Sequence, residues 1–362
     1  MYKIQALGTN SIGLSVNESG VVAGFDYQGV LWRSDGTGII AALDFIEGDP
    51  PSVFYSVNNQ GDAVGYRGAV PVQDPLLPLG SQNTSTQIPY LIRNGASVPT
   101  DLSNQLGQGA NCADINDNSI LCGSNPFAPW FGSAFVYETY SPGKPTPIPA
   151  VWGDYNYAVA INQAAHVVGV VRHRDDTTNG FYFDGVVHDL GPAKLVNDVN
   201  DNGQVVGAID EESLLTPALW AVPKDWGMNM DPQPTPQPIP LPVLSNIGMI
   251  AVYGIATSIN NSGEIVGSCW TGSDQSAFVY ANGVSTDLNT LLITAPGWHL
   301  QTANHINDAG MITGAGVLNG VETAFLLTPV PVRVEPTNPT LEAVIKELAQ
   351  EVAEKVLSEL GR

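Results

Sequence analysis

Short apolar runs alternate with polar turns along the chain, and one such pattern recurs seven times. Each copy contains an aliphatic residue, Asn, two mostly polar residues, a small residue, three mostly aliphatic residues and Gly. The copies begin at Val16-Asn17, Val57-Asn58, Ile115-Asn116, Ile161-Asn162, Val199-Asn200, Ile259-Asn260 and Ile306-Asn307. They end at Gly24, Gly65, Gly123, Gly169, Gly207, Gly267 and Gly314. Successive Asn residues are 38 to 60 positions apart, a spacing typical of all-β repeat folds.

Each copy predicts two strands joined by a tight hairpin, because Asn accepts hydrogen bonds from nearby backbone and Gly tolerates positive φ. A third strand follows at Val30-Leu31-Trp32, Tyr90-Leu91-Ile92, Ala134-Phe135-Val136-Tyr137, Phe181-Tyr182-Phe183, Ala218-Leu219-Trp220, Ala277-Phe278-Val279-Tyr280 and Ala324-Phe325-Leu326-Leu327. Segments ending in or near Asp-Leu predict a fourth strand, as at Thr100-Asp101-Leu102, His188-Asp189-Leu190 and Thr286-Asp287-Leu288.

The repeats together predict an all-β fold, a seven-bladed β-propeller over residues 1–329. The seventh repeat ends after its third strand, at Leu327-Thr328-Pro329, while residues 2–8 resemble an isolated fourth strand. We expect this N-terminal strand to complete the last blade and close the ring, which would leave no open sheet edge.

The same residues resemble the HAF-repeat proteins, also described as probable extracellular repeat proteins. Their units read Ala-x-x-Ile-Asn-Asp-x-Gly-x-Val-Val-Gly, followed by Ala-Phe-Leu-Trp and Asp-Leu, and residues 198–207 nearly match the first part. The resemblance covers residues 1 to about 329 and implies a propeller fold. It implies no particular activity, because one fold hosts many functions.

Composition and charge narrow the classes of partner. The chain has 38 Gly, 27 Pro and 43% hydrophobic residues, which suits many short strands and tight turns. It carries 13 basic and 35 acidic residues, for a net charge of -22, so nucleic acid and anionic membranes are not expected partners. The first twenty residues do not resemble a Sec-type signal, and no run of 18 apolar residues predicts membrane insertion.

Two motifs bear on metals and thiols. Asp198-x-Asn200-x-Asn202-Gly203 resembles the start of a calcium loop, but Val206 stands where such a loop needs a late carboxylate. We therefore predict a hydrogen-bonded turn, with no metal and no cofactor. The odd number of cysteines predicts buried thiols that behave as small apolar residues at Cys112, Cys122 and Cys269.

No catalytic motif stands out. There is no Gly-x-Ser-x-Gly sequence, and the histidines lack metal-ligand spacing, except for His299 with His305. Surface or turn positions are expected for His166, His173, His188, His299 and His305. The sequence thus predicts a protein that is not an enzyme, with a propeller lyase or hydrolase as the alternative, because propellers can assemble sites from distant blades.

The predicted topology places the connections between second and third strands, and those between blades, on one face. These connections vary in length and carry aromatic residues, which favours recognition there. The candidate binding residues are Phe127, Trp130, Phe131, Trp152, Tyr155, Tyr157, Trp270 and Trp298. They would bind a protein or a glycan, or else pack the loops onto the blades. On the opposite face, the proline-rich stretch from Pro223 to Pro242 predicts an extended arm or a strut.

Beyond the repeats, residues 330–339 predict a Pro-rich linker and residues 340–362 an amphipathic helix. Thr340 suits its N-cap, and Gly361 suits its end. Its apolar stripe comprises Leu341, Val344, Ile345, Leu348, Val352, Val356 and Leu360. The stripe predicts oligomerisation, docking on another protein, or folding back on the ring, and the first two are favoured.

These observations predict a non-catalytic binding, display or adaptor module. Its loop-rich face would bind a protein or glycan, and its C-terminal helix would attach it to itself or to a larger assembly. A virion or cell-surface location is favoured over free cytoplasm, and a cargo protein tethered inside a shell is an alternative.

Overall fold

The computed structural model describes residues 1–36, 38–42, 52–68, 87–125, 134–141, 143–150, 155–175, 177–211, 214–223, 235–244, 253–271 and 274–330. The chain divides into two compact units: Tyr2–Pro329, and Met1 with Val330–Arg362. All helices and strands among the described residues belong to the first unit. The predicted helix of residues 340–362, with its apolar stripe, lies outside the described residues, as does the linker apart from Val330.

Seven antiparallel four-stranded sheets form the first unit, which confirms the predicted seven-bladed β-propeller. Blade 1 contains β2 (Ile12–Val16), β3 (Val22–Asp26), β4 (Gln28–Trp32) and β5 (Ile39–Ala42). Blade 2 contains β6 (Ser52–Val57), β7 (Ala63–Arg67), β8 (Ile88–Ile92) and β9 (Thr100–Asp101). Blade 3 contains β10 (Asn111–Ile115), β11 (Ile120–Ser124), β12 (Ala134–Glu138) and β13 (Thr146–Pro147). Blade 4 contains β14 (Tyr155–Ile161), β15 (Val167–Arg172), β16 (Thr178–Phe183) and β17 (Val187–Pro192). Blade 5 contains β18 (Leu195–Val199), β19 (Gln204–Glu211), β20 (Leu214–Ala221) and β21 (Ile239–Pro240). Blade 6 contains β22 (Tyr253–Ile259), β23 (Ile265–Thr271), β24 (Asp274–Ala281), β25 (Val284–Asp287).

Blade 7 contains β26 (Trp298–Ile306), β27 (Ile312–Leu318) and β28 (Val321–Pro329), and its fourth strand is β1 (Tyr2–Thr9). β1 pairs antiparallel with β28, in a register that sets Tyr2 opposite Pro329 and Thr9 opposite Thr323. The first strand of each blade contacts the first strand of the next, and β26 contacts β2 in the same way. The first strands therefore form a continuous inner ring. Two short helices, α1 (Ser103–Leu106) and a 3₁₀ turn at Leu288–Leu291, lie between blades.

The repeat motif forms the hairpin between the first and second strands of each blade. The backbone amide three residues after each Asn bonds the Asn carbonyl, as from Gly263 to Asn260 at 3.0 Å. The residue at that place has positive φ in every blade, including the non-glycine residues Ser119 and Ala165. The Asn-centred turn predicted from the sequence is thereby confirmed.

The glycine that ends each motif is required by a bulge in the neighbouring first strand. The pairing register of the first and second strands shifts between Ala256 and Ser258 in blade 6, and a corresponding shift occurs in every blade. A Cβ at Gly267 would lie 2.0 Å from the carbonyl oxygen of Ile255, and the other six glycines show the same clash. The bulge thus explains why the repeat ends in Gly.

The core lies between the blades, where a buried apolar cluster spans each of the seven junctions. At the junction of blades 7 and 1, Ala324 and Leu326 pack with Val22 and Trp32. The three cysteines are free and buried, as predicted. Burial raises the pKa of the Cys269 thiol to about 11, so this thiol is a poor nucleophile.

The second half of the proline-rich stretch, residues 235–242, and the two residues that follow it lie against the blades. The stretch supplies β21, and Leu241 packs with Val206 and Ala256 while Leu244 packs with Cys269 and Phe278. This part therefore acts as a strut, and residues 224–234 of the predicted arm lie outside the described residues. No helix in the described ranges is long and apolar enough to cross a membrane.

Candidate functional site

The seven Asn residues of the repeats form a closed circle of hydrogen bonds, which we call the Asn belt. The Nδ2 of each Asn donates to the backbone carbonyl oxygen of the Asn in the next blade, over 2.8 to 3.2 Å. All seven side chains are buried, and their Oδ1 atoms accept backbone amides of their own turn, as Asn200 does from Asn202 and Gln204. One buried side chain thus fixes both a turn and a blade junction.

A second circle, the outer belt, runs through the residues that follow each Asn, which are exposed except for the half-buried Asp117. The backbone amide of each one donates to the side-chain oxygen of its counterpart in the next blade, over 2.7 to 2.9 Å. The members are Glu18, Asn59, Asp117, Gln163, Asp201, Asn261 and Asp308. This end of the propeller is therefore occupied by hydrogen bonds between the repeats.

A third circle, the axial belt, lies on the other side of the Asn belt. In each blade, the backbone amide of the aliphatic residue that precedes Asn donates a hydrogen bond to a side chain. That side chain stands one position earlier in the repeat, in the same blade or in the preceding blade of the ring. Two members accept none of these amides: Ala160 has no polar side chain, and Ser56 instead donates to Asp114. Asp114 and Asp198 compensate by accepting two of these amides each.

The axial belt contains ionisable groups with shifted protonation. Burial raises the pKa of the Asp198 carboxyl to about 7, against the lowering effect of hydrogen bonds from Ser258 Oγ and the Ile259 amide. Burial lowers the pKa of the His305 imidazole, while the negative charges of Asp114 and Asp308 act in the opposite direction. His305 Nδ1 accepts the Val16 amide at 3.3 Å, so this bond requires an unprotonated Nδ1.

The belts account for two motifs that the sequence left open. In the calcium-like motif, Asp198 and Asn200 direct their oxygens to backbone amides and to Ser258. Among the described residues, no group of three His, Cys, Asp or Glu side chains is arranged to hold a metal ion. The expectation of a surface or turn position was wrong for His305, which belongs to the axial belt, and for His188, which is buried and bonded to Asp184 at 2.9 Å.

The opposite end of the propeller carries the starts of the first and third strands and the ends of the second strands. We call it the loop face. Of the predicted binding residues, Phe127, Trp130, Phe131 and Trp152 lie outside the described residues. Tyr155, Tyr157, Trp270 and Trp298 are described, and they are distributed over blades 4, 6 and 7.

These four aromatic residues have different environments. Tyr155 is 52% exposed, opposite Arg172 in the neighbouring strand, whereas Tyr157 is half-buried and packs on the core between blades 4 and 5. Trp298 packs on the core between blades 6 and 7 and meets Phe325 edge to face, with ring centroids 6.3 Å apart. The described contacts of Trp298 are packing contacts, and its predicted part in binding stays a prediction.

Trp270 lies at the loop face, near the end of β23 in blade 6. Its ring stacks on Tyr253, with centroids 4.9 Å apart and planes inclined by 10°. Both residues are half-buried, and Trp270 packs on a cluster formed by Ile255 of its own blade with Leu195 and Ala208 of blade 5. The strand register sets Trp270 on the same face of blade 6 as Val266, which packs against blade 7. A pair of parallel, partly exposed aromatic rings is a composition suited to binding.

Polar groups lie near the stack. Gln275 stands directly opposite Trp270 in the β23–β24 pair. In blade 7, His299 Nε2 lies 3.1 Å from Asp274 Oδ1 and 3.0 Å from the Gln275 carbonyl oxygen. Sequence reasoning missed Tyr253. Tyr253 could have been found from its place at the start of a first strand, where blade 4 has Tyr155.

No protein-family model and no curated protein matches the sequence. Solved structures do resemble it. YCF48 from Cyanidioschyzon merolae has a TM-score of 0.53 and 10% identity, with 92% of this chain and 100% of that chain covered. A structure of YCF48 bound to D1 peptide has a TM-score of 0.52 and 9% identity, with 91% and 96% covered.

A further likeness is to the β-propeller domain of the Trilobed protease from Pyrococcus furiosus. It has a TM-score of 0.52 and 9% identity, with 91% of this chain and 99% of that domain covered. At such identities the likenesses show the fold alone, and the class they define is that of the β-propellers.

Proposed function

We propose that this protein is a non-catalytic scaffold that binds a protein segment at its loop face, around the stack of Tyr253 on Trp270 in blade 6. The half-exposed stack of Tyr253 on Trp270 carries the proposal, because stacked aromatic rings offer large contact area with little loss of side-chain entropy on binding. The opposite end has its turn groups engaged in the Asn belt and the outer belt.

Two further observations support binding in preference to catalysis. The shifted ionisable groups, Asp198 and His305, accept backbone amides in the axial belt, a role that stabilises blade junctions. A structure with the same fold, YCF48, has been determined with a bound peptide. Resemblance to the HAF-repeat proteins stays a prediction.

A selection from a random peptide library, with the intact chain as bait, tests the scaffold. We expect selected peptides to bind saturably and to lose about tenfold or more in affinity when Trp270 is replaced by Ala. Replacement of Tyr27 by Ala is the matched control, because Tyr27 is an exposed aromatic residue at the β3–β4 turn on the same face. Failure to select any saturable peptide, or equal binding to both variants, would contradict the proposed site.

We further propose that residues 341–360 attach the scaffold to itself or to a larger assembly. The apolar stripe of this segment supports the proposal, because an isolated helix of about 20 residues is marginally stable alone. Replacing Ile345 and Leu348 by Asp should change the oligomeric mass or release the chain from its assembly, while the melting temperature stays nearly unchanged. Unfolding of the blades in that variant would argue for a structural tail.

A further inference from the structure

The strand pairing of blade 6 sets three planar side chains in one row at the loop face. Tyr253 stands directly opposite Trp270 in the β22–β23 pair, and Trp270 stands directly opposite Gln275 in the β23–β24 pair. Directly opposite residues project from the same side of a sheet, so these three side chains lie next to one another across three strands. We call them the planar row. Val266, four positions before Trp270, projects from the same side and packs against blade 7.

The planar row offers hydrogen-bonding groups beside its rings. All three members are half-buried, so each keeps part of its surface open to solvent. Tyr253 carries a hydroxyl, Trp270 an indole N–H and Gln275 a side-chain amide. None of these groups is hydrogen-bonded to another described residue, since the bonds of Gln275 use its backbone nitrogen and its carbonyl oxygen. The row therefore combines apolar ring surface with donors that a bound chain could use.

Blade 7 holds the outer end of the planar row in place. His299 Nε2 lies 3.0 Å from the carbonyl oxygen of Gln275 and 3.1 Å from Asp274 Oδ1. A carbonyl oxygen can only accept, so Nε2 carries the proton of this bond. At the inner end, the stacking of Trp270 on Tyr253 restrains both rings. Restraint of this kind before binding lowers the entropy lost on binding.

This chemistry matches a segment in the polyproline II conformation. Such a segment is extended and makes no internal hydrogen bonds, so its backbone carbonyl oxygens are free to accept from a partner. Proline has no backbone N–H that contact with a ring would leave unpaired. Aromatic surfaces bind proline-rich segments because the preformed conformation loses little entropy on binding.

The dimensions of the planar row fit the repeat of that conformation. Adjacent strands of a sheet are about 4.8 Å apart, so Tyr253 and Gln275, two strands apart, are separated by about 9.6 Å. A polyproline II helix has three residues per turn and rises about 3.1 Å per residue, so residues i and i+3 lie on one side about 9.3 Å apart. Two residues three positions apart would therefore contact Tyr253 and Gln275, with Trp270 between them.

Resting on the proposed scaffold function, we infer that the planar row recognises a proline-rich segment of a partner protein in the polyproline II conformation. The rings of Tyr253 and Trp270 would contact proline rings, and Trp270 Nε1 and the Gln275 amide would donate to backbone carbonyl oxygens. The row contains no charged side chain, so binding would not depend on the net charge of -22 and would persist at high salt.

Fluorescence anisotropy with two labelled decapeptides tests the inference. Decaproline adopts the polyproline II conformation, whereas an alternating Gly-Ser chain of the same length is flexible. We expect decaproline to bind the intact chain about tenfold or more tightly than the Gly-Ser chain, with similar affinity at about 0.1 M and about 0.5 M salt. Equal affinities for the two peptides would overturn the inference.

Variants then assign the binding to the planar row. W270F keeps an aromatic ring but removes the indole donor, and Q275A removes the amide, so each should weaken decaproline binding by about fivefold. Q28A is the matched control, because Gln28 is a half-buried glutamine at the start of β4 on the loop face of blade 1. It should leave binding unchanged, and equal losses in Q275A and Q28A would overturn the inference. Should W270F fail to fold, Q275A still decides.

Failure here can be told apart from failure of the scaffold function. Library peptides that depend on Trp270 but lack proline would sink the proline inference and leave the scaffold function intact. Titration with a linear, uncharged oligosaccharide provides another arm. Trp270-dependent binding of that sugar, without binding of decaproline, would assign the planar row to a glycan and overturn the inference.

Discussion

Asn307 donates a hydrogen bond from Nδ2 to the backbone carbonyl oxygen of Asn17 at 2.8 Å, across 290 positions of sequence. This bond completes the Asn belt at the junction of blades 7 and 1. The outer belt and the axial belt cross the same junction, through Asp308 to Glu18 and through Val16 to His305. The junction between the two ends of the repeat array is therefore joined as the internal junctions are.

The Asn belt should contribute more to stability than the outer belt. Replacing Asn307 by Ala should lower the free energy of unfolding by about 2–4 kcal/mol, because the Asn17 carbonyl loses one of its two donors and the Met311 amide loses its acceptor. Replacing Asn59 by Ala, in the exposed outer belt, should cost under about 1 kcal/mol, since water replaces its bonds. Urea titration measures both, and equal costs would contradict this ranking.

Removal of β1 should lower the stability of the propeller but leave the contacts between the first strands of the blades intact. Deleting residues 2–9 leaves β28 without its outer partner and removes Tyr2 from the core. We expect a lower melting temperature and self-association through the exposed edge, measured by calorimetry and light scattering. A deletion variant that stays monomeric and melts unchanged would show that β1 contributes nothing to closure.

Asp198 should make the propeller less stable as pH rises toward neutrality. Its pKa is about 7 in the folded chain, against roughly 3.9 when unfolded, so the folded state binds more protons between these values. The stabilising contribution of the protonated carboxyl is present below about pH 4 and is lost through about pH 7. D198N should flatten the dependence of melting temperature on pH across this range; a slope identical to that of the wild type would exclude Asp198 as its source.

His305 should act in the opposite direction. Burial lowers its pKa in the folded chain, so the unfolded chain binds the proton more readily. The stabilising contribution is present above about pH 6.5 and is lost as pH falls through the folded pKa, because protonated Nδ1 cannot accept the Val16 amide. We expect H305N to reduce this acid sensitivity, with H173N, at the β15–β16 connection, as the control. Equal effects of the two variants would contradict a specific role for His305.

Trp298 and Tyr155 should differ in what their loss affects. W298A should destabilise the propeller by about 3 kcal/mol, because the ring packs on the core beside Phe325. Y155A should change stability by less than about 0.5 kcal/mol, because its side chain is mostly exposed. Chemical denaturation of the two variants compares them directly, and a neutral W298A would contradict a packing role for the Trp298 ring.

The strand count was predictable because its signal is local. Asn200 bonds amides two and four residues ahead, and Gly207 avoids a clash with its own hairpin, so each repeat records its geometry within ten positions. The belts were not predictable in the same way. Ala160 has no side chain that could accept the Val199 amide, and Asp198, 38 positions after Ala160, accepts it instead. Only the folded ring brings these residues of different blades to the same height.

The aromatic stack proposed as a binding site was predictable only in part. Trp270 was identified from its loop position, but its partner Tyr253 lies 17 positions earlier, and only the pairing of β22 with β23 brings the two rings together. Trp298 was identified in the same way, and its packing on Phe325 depends on the fold of blade 7, which sequence spacing does not encode.

The belts also determine which repeats could exchange places. At the Asn belt every repeat offers the same donor and the same carbonyl, so any order of repeats would satisfy it. At the axial belt, the repeat containing Ala160 has no side-chain acceptor for the amide of the next repeat. That next repeat must therefore carry an acid such as Asp198, which accepts the Val199 amide of its own repeat. Placing a serine-bearing repeat after blade 4 would strand a buried amide. Residues of the inner strands thus partly determine the order of the blades around the ring. A rearrangement of the gene that separated blade 4 from blade 5 would leave this amide without an acceptor, unless another acid-bearing repeat followed blade 4.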